Sequence, residues 1–256
     1  LKHSLSAAEA ALLAAVAVAL VAAILGPNVA QYARYHVFAD QRALWGLPFA
    51  MDVLSNLPFA VMGAWGLARL QVMPRGTQRT LSSVFFVGLL VTTICCTWYH
   101  LRPDDAGLAL DRLGMVLAFA GVTGLAVADR LSLRAGACMA IGVAVLGPVA
   151  VGVWASTANL LPWSILQGGG MLLVVTMAAR RPIAGAWGVP LGALIAWYAL
   201  AKLLELGDQS VFELTHGIVS GHSLKHVAAA LAAWPLIALM HNGGQALSGQ
   251  TNMANA

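Results

Sequence analysis

Charge is what this sequence has least of. Only 9% of its 256 residues are Asp, Glu, Lys or Arg, against about 25% in an ordinary soluble domain. A chain so poor in charge cannot present a solvated surface, which excludes a soluble globular fold. Cysteine is scarce as well. Cys95, Cys96 and Cys138 all fall in apolar stretches, and three such residues give neither a disulfide framework nor a CxxC metal knuckle. They read first as small buried hydrophobes. The net charge of +4 comes with no basic run and no aromatic-interleaved basic patch, which argues against nucleic acid as a partner. HExxH is missing, no Walker pattern fits, and Gly168–Gly170 reads as close helix packing.

Apolar residues fill the space left by charge. They make up 60% of the chain, and the mean hydropathy is +0.80. Runs near 20 residues recur along the length, each long enough to cross a hydrocarbon core of about 30 Å. Eight spans are predicted: about Ala7–Leu25, Leu47–Leu70, Leu81–Leu101, Leu108–Ala128, Ala135–Trp154, Leu161–Ala179, Val189–Leu206 and Ser220–Met240. The expected fold is therefore an all-α polytopic membrane protein. The first span follows Lys2 and His3 in the manner of a signal peptide, but its length favours a retained helix. The polar stretch 242–256 is expected to be a disordered cytoplasmic tail.

Loop charges predict an orientation. Arg69, Arg75 and Arg79, then Arg130 and Arg134, then Arg180 and Arg181 lie in or beside alternate connections. Positive charge of this kind marks the cytoplasmic side. The opposite loops carry Asp104 and Asp105, the neutral 156–159 stretch, then Glu205, Asp208 and Glu213; the loop with Arg34, Asp40 and Arg42 weakens the contrast. Both termini are then cytoplasmic. His100 ends the third span, Asp111 begins the fourth, and His222 and His226 begin the eighth. All four fall at one non-cytoplasmic depth, so they can converge.

Ionisable groups at membrane depth are costly and usually functional. His222 and His226 are four residues apart and share a helix face, so both can reach one ion. Three neutral imidazoles would leave an open tetrahedral position on zinc, where water is acidified toward a pKa of about 7. Asp111 could then act as general base and acid. The blander account is also available for each residue. A lone membrane histidine is more often an interhelical hydrogen-bond partner, and Asp111 beside Arg112 could be an interfacial ion pair. Asp52 shares a face with Asn56 at the start of the second span; it reads either as a group orienting a metal histidine or as an interhelical hydrogen bond. For Ser55 and Asn56 the packing role is preferred. Lys202 and Glu205 are expected to pair, and Lys225 to snorkel, pair with an acid or meet an anionic headgroup. His3, His36, His216 and His241 lack partners at useful spacing.

Three segments carry a resemblance: DVLSNLPF at 52–59, CTWYHLRPD with LDRLGM across 96–115, and SGHSLKH at 220–226. In order and spacing they resemble the alkaline ceramidase branch of the CREST superfamily of membrane hydrolases, bacterial members above all. The resemblance implies a seven-helix core over 31–241 with an extra helix over 1–30. It implies zinc held by His100, His222 and His226, with Asp111 as the catalytic carboxylate. The implied substrate is a ceramide-like lipid amide taken from within the bilayer, and the implied location is a bacterial inner membrane with the site near the non-cytoplasmic face.

Two positions depart from that pattern. Serine is usual one turn before the first histidine, where its hydroxyl helps polarise the substrate carbonyl; Cys96 stands here. A thiol is a weaker donor, so Cys96 either serves in the catalytic role or closes the zinc shell as a thiolate. The acidic cluster that binds calcium in the eukaryotic enzymes is also depleted: after Asp40 come Gln41, Arg42 and Ala43. Calcium needs six to eight oxygens, so zinc is expected and calcium is not. Two other classes compete with a hydrolase. One is a non-enzymatic zinc-containing receptor or sensor of the same superfamily. The other is a transporter or haem protein, which the placement of His222 and His226 on one helix disfavours.

Overall fold

A computed structural model describes residues 4–241. The stretch 242–256 and His3 lie outside the described residues. The chain is all-α, with helices α1 (Ala7–Leu25), α2 (Ala50–Leu54), α3 (Leu57–Leu70), α4 (Thr77–Leu101), α5 (Asp105–Arg130), α6 (Leu133–Thr157), α7 (Leu161–Ala178), α8 (Leu191–Leu206), α9 (Asp208–Leu214) and α10 (Gly221–Leu231). Among the described residues there is no strand, and Leu44 and Leu47 form an isolated bridge.

Seven segments are long and apolar enough to cross a membrane: α1, the α2–α3 pair (Ala50–Leu70), α4, α5, α6, α7 and a final span from Gly221 to His241. This is an integral membrane protein. The expected seventh span, Val189–Leu206, is present as α8, which has only 16 residues, about 24 Å of helix. Gly207 then turns the chain into α9. Outward-facing Ile94, Ile141, Val149, Leu172 and Leu203 are each more than half exposed, as a surface bathed in lipid tails allows.

Helix starts follow the sequence closely. Ser6 and Glu9 form a capping box on α1, and Asp104, Ser132 and Ser220 each accept a backbone N–H at the start of α5, α6 and α10. Such caps satisfy donors that the first turn leaves free. α1 sits at the edge, held through Glu9, whose carboxylate accepts from Ser132 Oγ at 2.8 Å and meets Arg134 at 3.3 Å.

α4 and α5 form the centre, with α3, α6 and α7 packed around them and α8 beside α10. Their crossing is tight because Gly121 has no side chain. A Cβ there would lie 2.3 Å from the backbone nitrogen of Phe85. At one end of the bundle Asp129 anchors the α7–α8 connection. Its carboxylate accepts from Gln78 and from the backbone N–H groups of Gly188 and Val189. The other end holds the histidines.

Filling the α4–α5 contact should separate the two helices that carry His100 and Asp111. Gly121→Val is expected to cost about 1–3 kcal/mol or more, by overpacking. Thermal unfolding in detergent would show a lowered midpoint; an unchanged midpoint would contradict this packing.

Candidate metal centre

The helix break between α2 and α3 builds one wall of the site. The helix pauses at Ser55–Asn56, which frees the carbonyl of Asp52. Ser55 Oγ and Asn56 Nδ2 both donate to it, each at 2.9 Å. The pause leaves Ser55 Oγ also 2.8 Å from His226 Nδ1. Because the hydroxyl proton is given to the carbonyl, the serine oxygen accepts from Nδ1–H. That fixes the tautomer and leaves the lone pair of His226 on Nε2.

α10 supplies the second wall. Its first residue, Gly221, approaches the α8–α9 corner closely: a Cβ there would lie 2.3 Å from the carbonyl oxygen of Leu204. Asp208 caps this start, accepting from the backbone N–H of His222 at 2.7 Å. The same carboxylate accepts from the N–H of Ala39 at 2.9 Å, drawing the 38–42 segment over the helix end. Phe38 then lies against two imidazoles, with centroids 4.9 Å from His100 and 4.4 Å from His222.

The three histidines converge as the sequence predicts. Ring centroids are 4.9 Å apart for His100–His222, 5.0 Å for His100–His226 and 4.9 Å for His222–His226. All three are buried. His100 Nε2 and His222 Nε2 face each other at 3.3 Å. Two overlapping groups could hold a metal ion: Cys96 with His100 and His226, and Asp52 with His100 and His222. In each the ligand atoms lie within 4.8 Å of one another. The donor set of imidazoles with a thiol and a carboxylate suits zinc chemistry, and the buried ring nitrogens fit a cation between them.

Asp52 stands beside the cluster. Its Oδ1 accepts from Ser223 Oγ at 2.7 Å, and its Oδ2 is buried without a hydrogen-bond partner. The hydrogen bond to His226 comes from Ser55, for which packing was the preferred role. Cys96 Sγ is 3.5 Å from His226 Nε2. Asp111 lies outside both metal groups but lines a cleft with Cys96 and His226, and its Oδ1 is buried without a partner. The ion pair with Arg112 is not formed. Arg112 turns instead to stack over Trp154, 4.1 Å from the ring centre.

That cleft has a cavity volume of about 180 Å³. Its deep wall is apolar, with Phe59, Phe85, Leu89, Phe119 and Val122. Near the histidines it is charged. Glu205 accepts from Lys202 at 2.6 Å and from Lys225 at 2.7 Å, so the expected pair is a triad.

Other expectations changed on folding. His36, expected to lack partners, contacts Tyr99 Oη at 2.9 Å and Asp105 at 3.0 Å; both lie more than 60 residues away, beyond any spacing rule. Asp40 is buried, and both its carboxylate oxygens accept from Arg42. Burial pushes the Asp40 carboxyl up, but the Arg42 hydrogen bonds and charge outweigh it and hold the group below its ordinary 3.8. Arg42 also donates to the carbonyl of Ile218 at 3.0 Å, strapping the segment that carries Phe38. Comparison with protein-family models, curated proteins and solved structures gave no match.

Ser55→Ala removes the partner that orients His226 and should weaken zinc affinity about 10–100-fold. Competition with a chromophoric chelator measures this, and unchanged affinity would contradict the role. The Asp40 strap has its own pH dependence. A lowered carboxyl stabilises fully above its ordinary value and loses that contribution as pH falls through the folded one. Protease protection of the 38–42 segment should therefore be constant from pH 7 to 5 and fall below pH 4, with the fall abolished in Asp40→Asn.

Proposed function

We propose that this chain is a zinc-dependent integral-membrane hydrolase that cleaves an amide bond in a ceramide-like lipid. One observation carries the proposal: three buried imidazoles meet, and one of them, His226, lines the charged head of a largely apolar cleft that also holds Cys96 and Asp111. The motif segments 52–59, 96–115 and 220–226 support it through their resemblance to alkaline ceramidases. The loop arginines support cytoplasmic termini and a site near the non-cytoplasmic face, and the resemblance supports a bacterial inner membrane.

His100, His222 and His226 would hold the metal, which when bound supplies Lewis acidity to activate water and polarise a carbonyl. The apolar wall of the cleft takes the acyl chain and excludes bulk water. Asp111 accepts a proton from the attacking water at its free Oδ1. It returns the proton to the amine nitrogen as the C–N bond breaks, so that a fatty acid and an amine leave. Cys96 donates its S–H toward the carbonyl oxygen, a weaker contact than a hydroxyl would make.

The proximity of Cys96 Sγ to His100 and His226 favours a second arrangement. A thiolate there would complete a closed tetrahedral shell, which suits a receptor or sensor rather than an enzyme. Cobalt substitution separates the two, since only thiolate ligation gives a sulfur-to-metal charge-transfer band.

Purified protein incubated with a panel of N-acyl lipids should release fatty acid detectable by mass spectrometry. His222→Ala should abolish release. Asp111→Asn should lower it about 10²–10⁴-fold while keeping the metal. Equal release by wild type and His222→Ala would exclude the hydrolase.

A further inference from the structure

Arg112 has an unusual position for a membrane arginine. It is only 4% exposed, and among the described residues it enters no salt bridge. Its guanidinium is held by aromatic faces, 4.1 Å from Trp154 and 5.8 Å from Trp163. One nitrogen, Nη2, donates to Gln31 Oε1. The other, Nη1, is buried and has no hydrogen-bond partner. A buried guanidinium N–H left unpaired is costly, more so than a neutral donor.

Arg112 lines the same cleft as Lys202, Lys225, Glu205 and Asp111. Three bases therefore face two acids. Glu205 already serves both lysines, so one carboxylate balances two ammonium groups. A positive excess remains at the head of a pocket whose far wall is apolar. A neutral lipid amide gives Arg112 no charge to pair with. A headgroup bearing an oxyanion does, and a planar guanidinium is well shaped for carboxylate or phosphate.

We infer that the cleft selects an anionic amphiphile, an N-acyl lipid whose headgroup carboxylate or phosphate is held by Arg112 with the help of Lys225. This rests on the cleft being the substrate site and names the substrate's charge class. Arg112 binds and positions; no bond is made or broken at it.

Binding rather than turnover tests this, in purified full-length protein in neutral detergent, read by tryptophan fluorescence. One arm compares a long-chain fatty acid with the alcohol of the same length, and another compares lysophosphatidic acid with monoacylglycerol. Each arm is run with the metal present and after removal by a chelator. The anionic member of at least one pair should bind about tenfold tighter or better, as a charge-assisted hydrogen bond implies. The preference should survive metal removal. Whichever pair shows the larger preference identifies the oxyanion as carboxylate or phosphate. Arg112→Gln should bring the two members of that pair within about twofold, and Arg112→Lys should keep part of the difference. Equal affinities in both wild-type pairs would overturn the inference, and so would a preference that vanishes with the metal. The wild-type arms decide even if Arg112→Gln does not fold. A chain that prefers the anions yet hydrolyses no lipid would defeat the hydrolase alone. Hydrolysis without anion preference would defeat this inference alone.

Discussion

Two imidazole nitrogens, His100 Nε2 and His222 Nε2, meet 3.3 Å apart inside an apolar bundle. In a medium without water, a buried polar atom needs a partner. Two ring nitrogens facing each other can share at most one proton, and His226 brings a third ring whose Nε2 lies 3.5 Å from Cys96 Sγ. Cys96, His100 and His226, or Asp52, His100 and His222, bring ligand atoms close enough to share one cation. The surrounding structure reads as support for this meeting. Ser55 sets the tautomer of His226, Asp208 fixes the start of α10, and Phe38 covers two of the rings.

The support is drawn from segments with no other reason to meet. The α2–α3 break exists because Ser55 and Asn56 capture the carbonyl of Asp52, and the same break presents Ser55 to His226. Gly221 lets α10 begin against the α8–α9 corner. Asp208, at that corner, binds the α10 start and the 38–42 segment together. Chemistry and fold are therefore coupled at this end of the bundle. The opposite end, around Asp129, is a closed hydrogen-bond network that fastens the α7–α8 connection. The cleft joins the two roles, with apolar helix faces behind and the charged triad and Arg112 in front.

Much of this was legible in the sequence. Apolar runs gave the helices, because a chain with so little charge has only the bilayer in which to fold. The meeting of the histidines was legible because His222 and His226 share a face and the alternation of loop charge put His100 at the same depth. Contacts made across the fold left no such trace. Ser55 looked like packing because its role comes from a helix break, not a spacing. His36, Phe38 and Asp208 act through partners more than a dozen residues away. The alternative that paired Asp111 with Arg112 is not realised, since neighbouring helical residues point about 100° apart. α8 was legible as the span Val189–Leu206; it starts two residues later and ends at the same residue.

The account stands on a buried metal site formed by His100, His222 and His226. Elemental analysis of protein purified without added metal measures it directly. About one zinc per chain is predicted for the wild type and almost none for His222→Ala, with both proteins folded. Folded wild-type protein that carries no stoichiometric metal, or a His222→Ala variant that carries as much as the wild type, would contradict it.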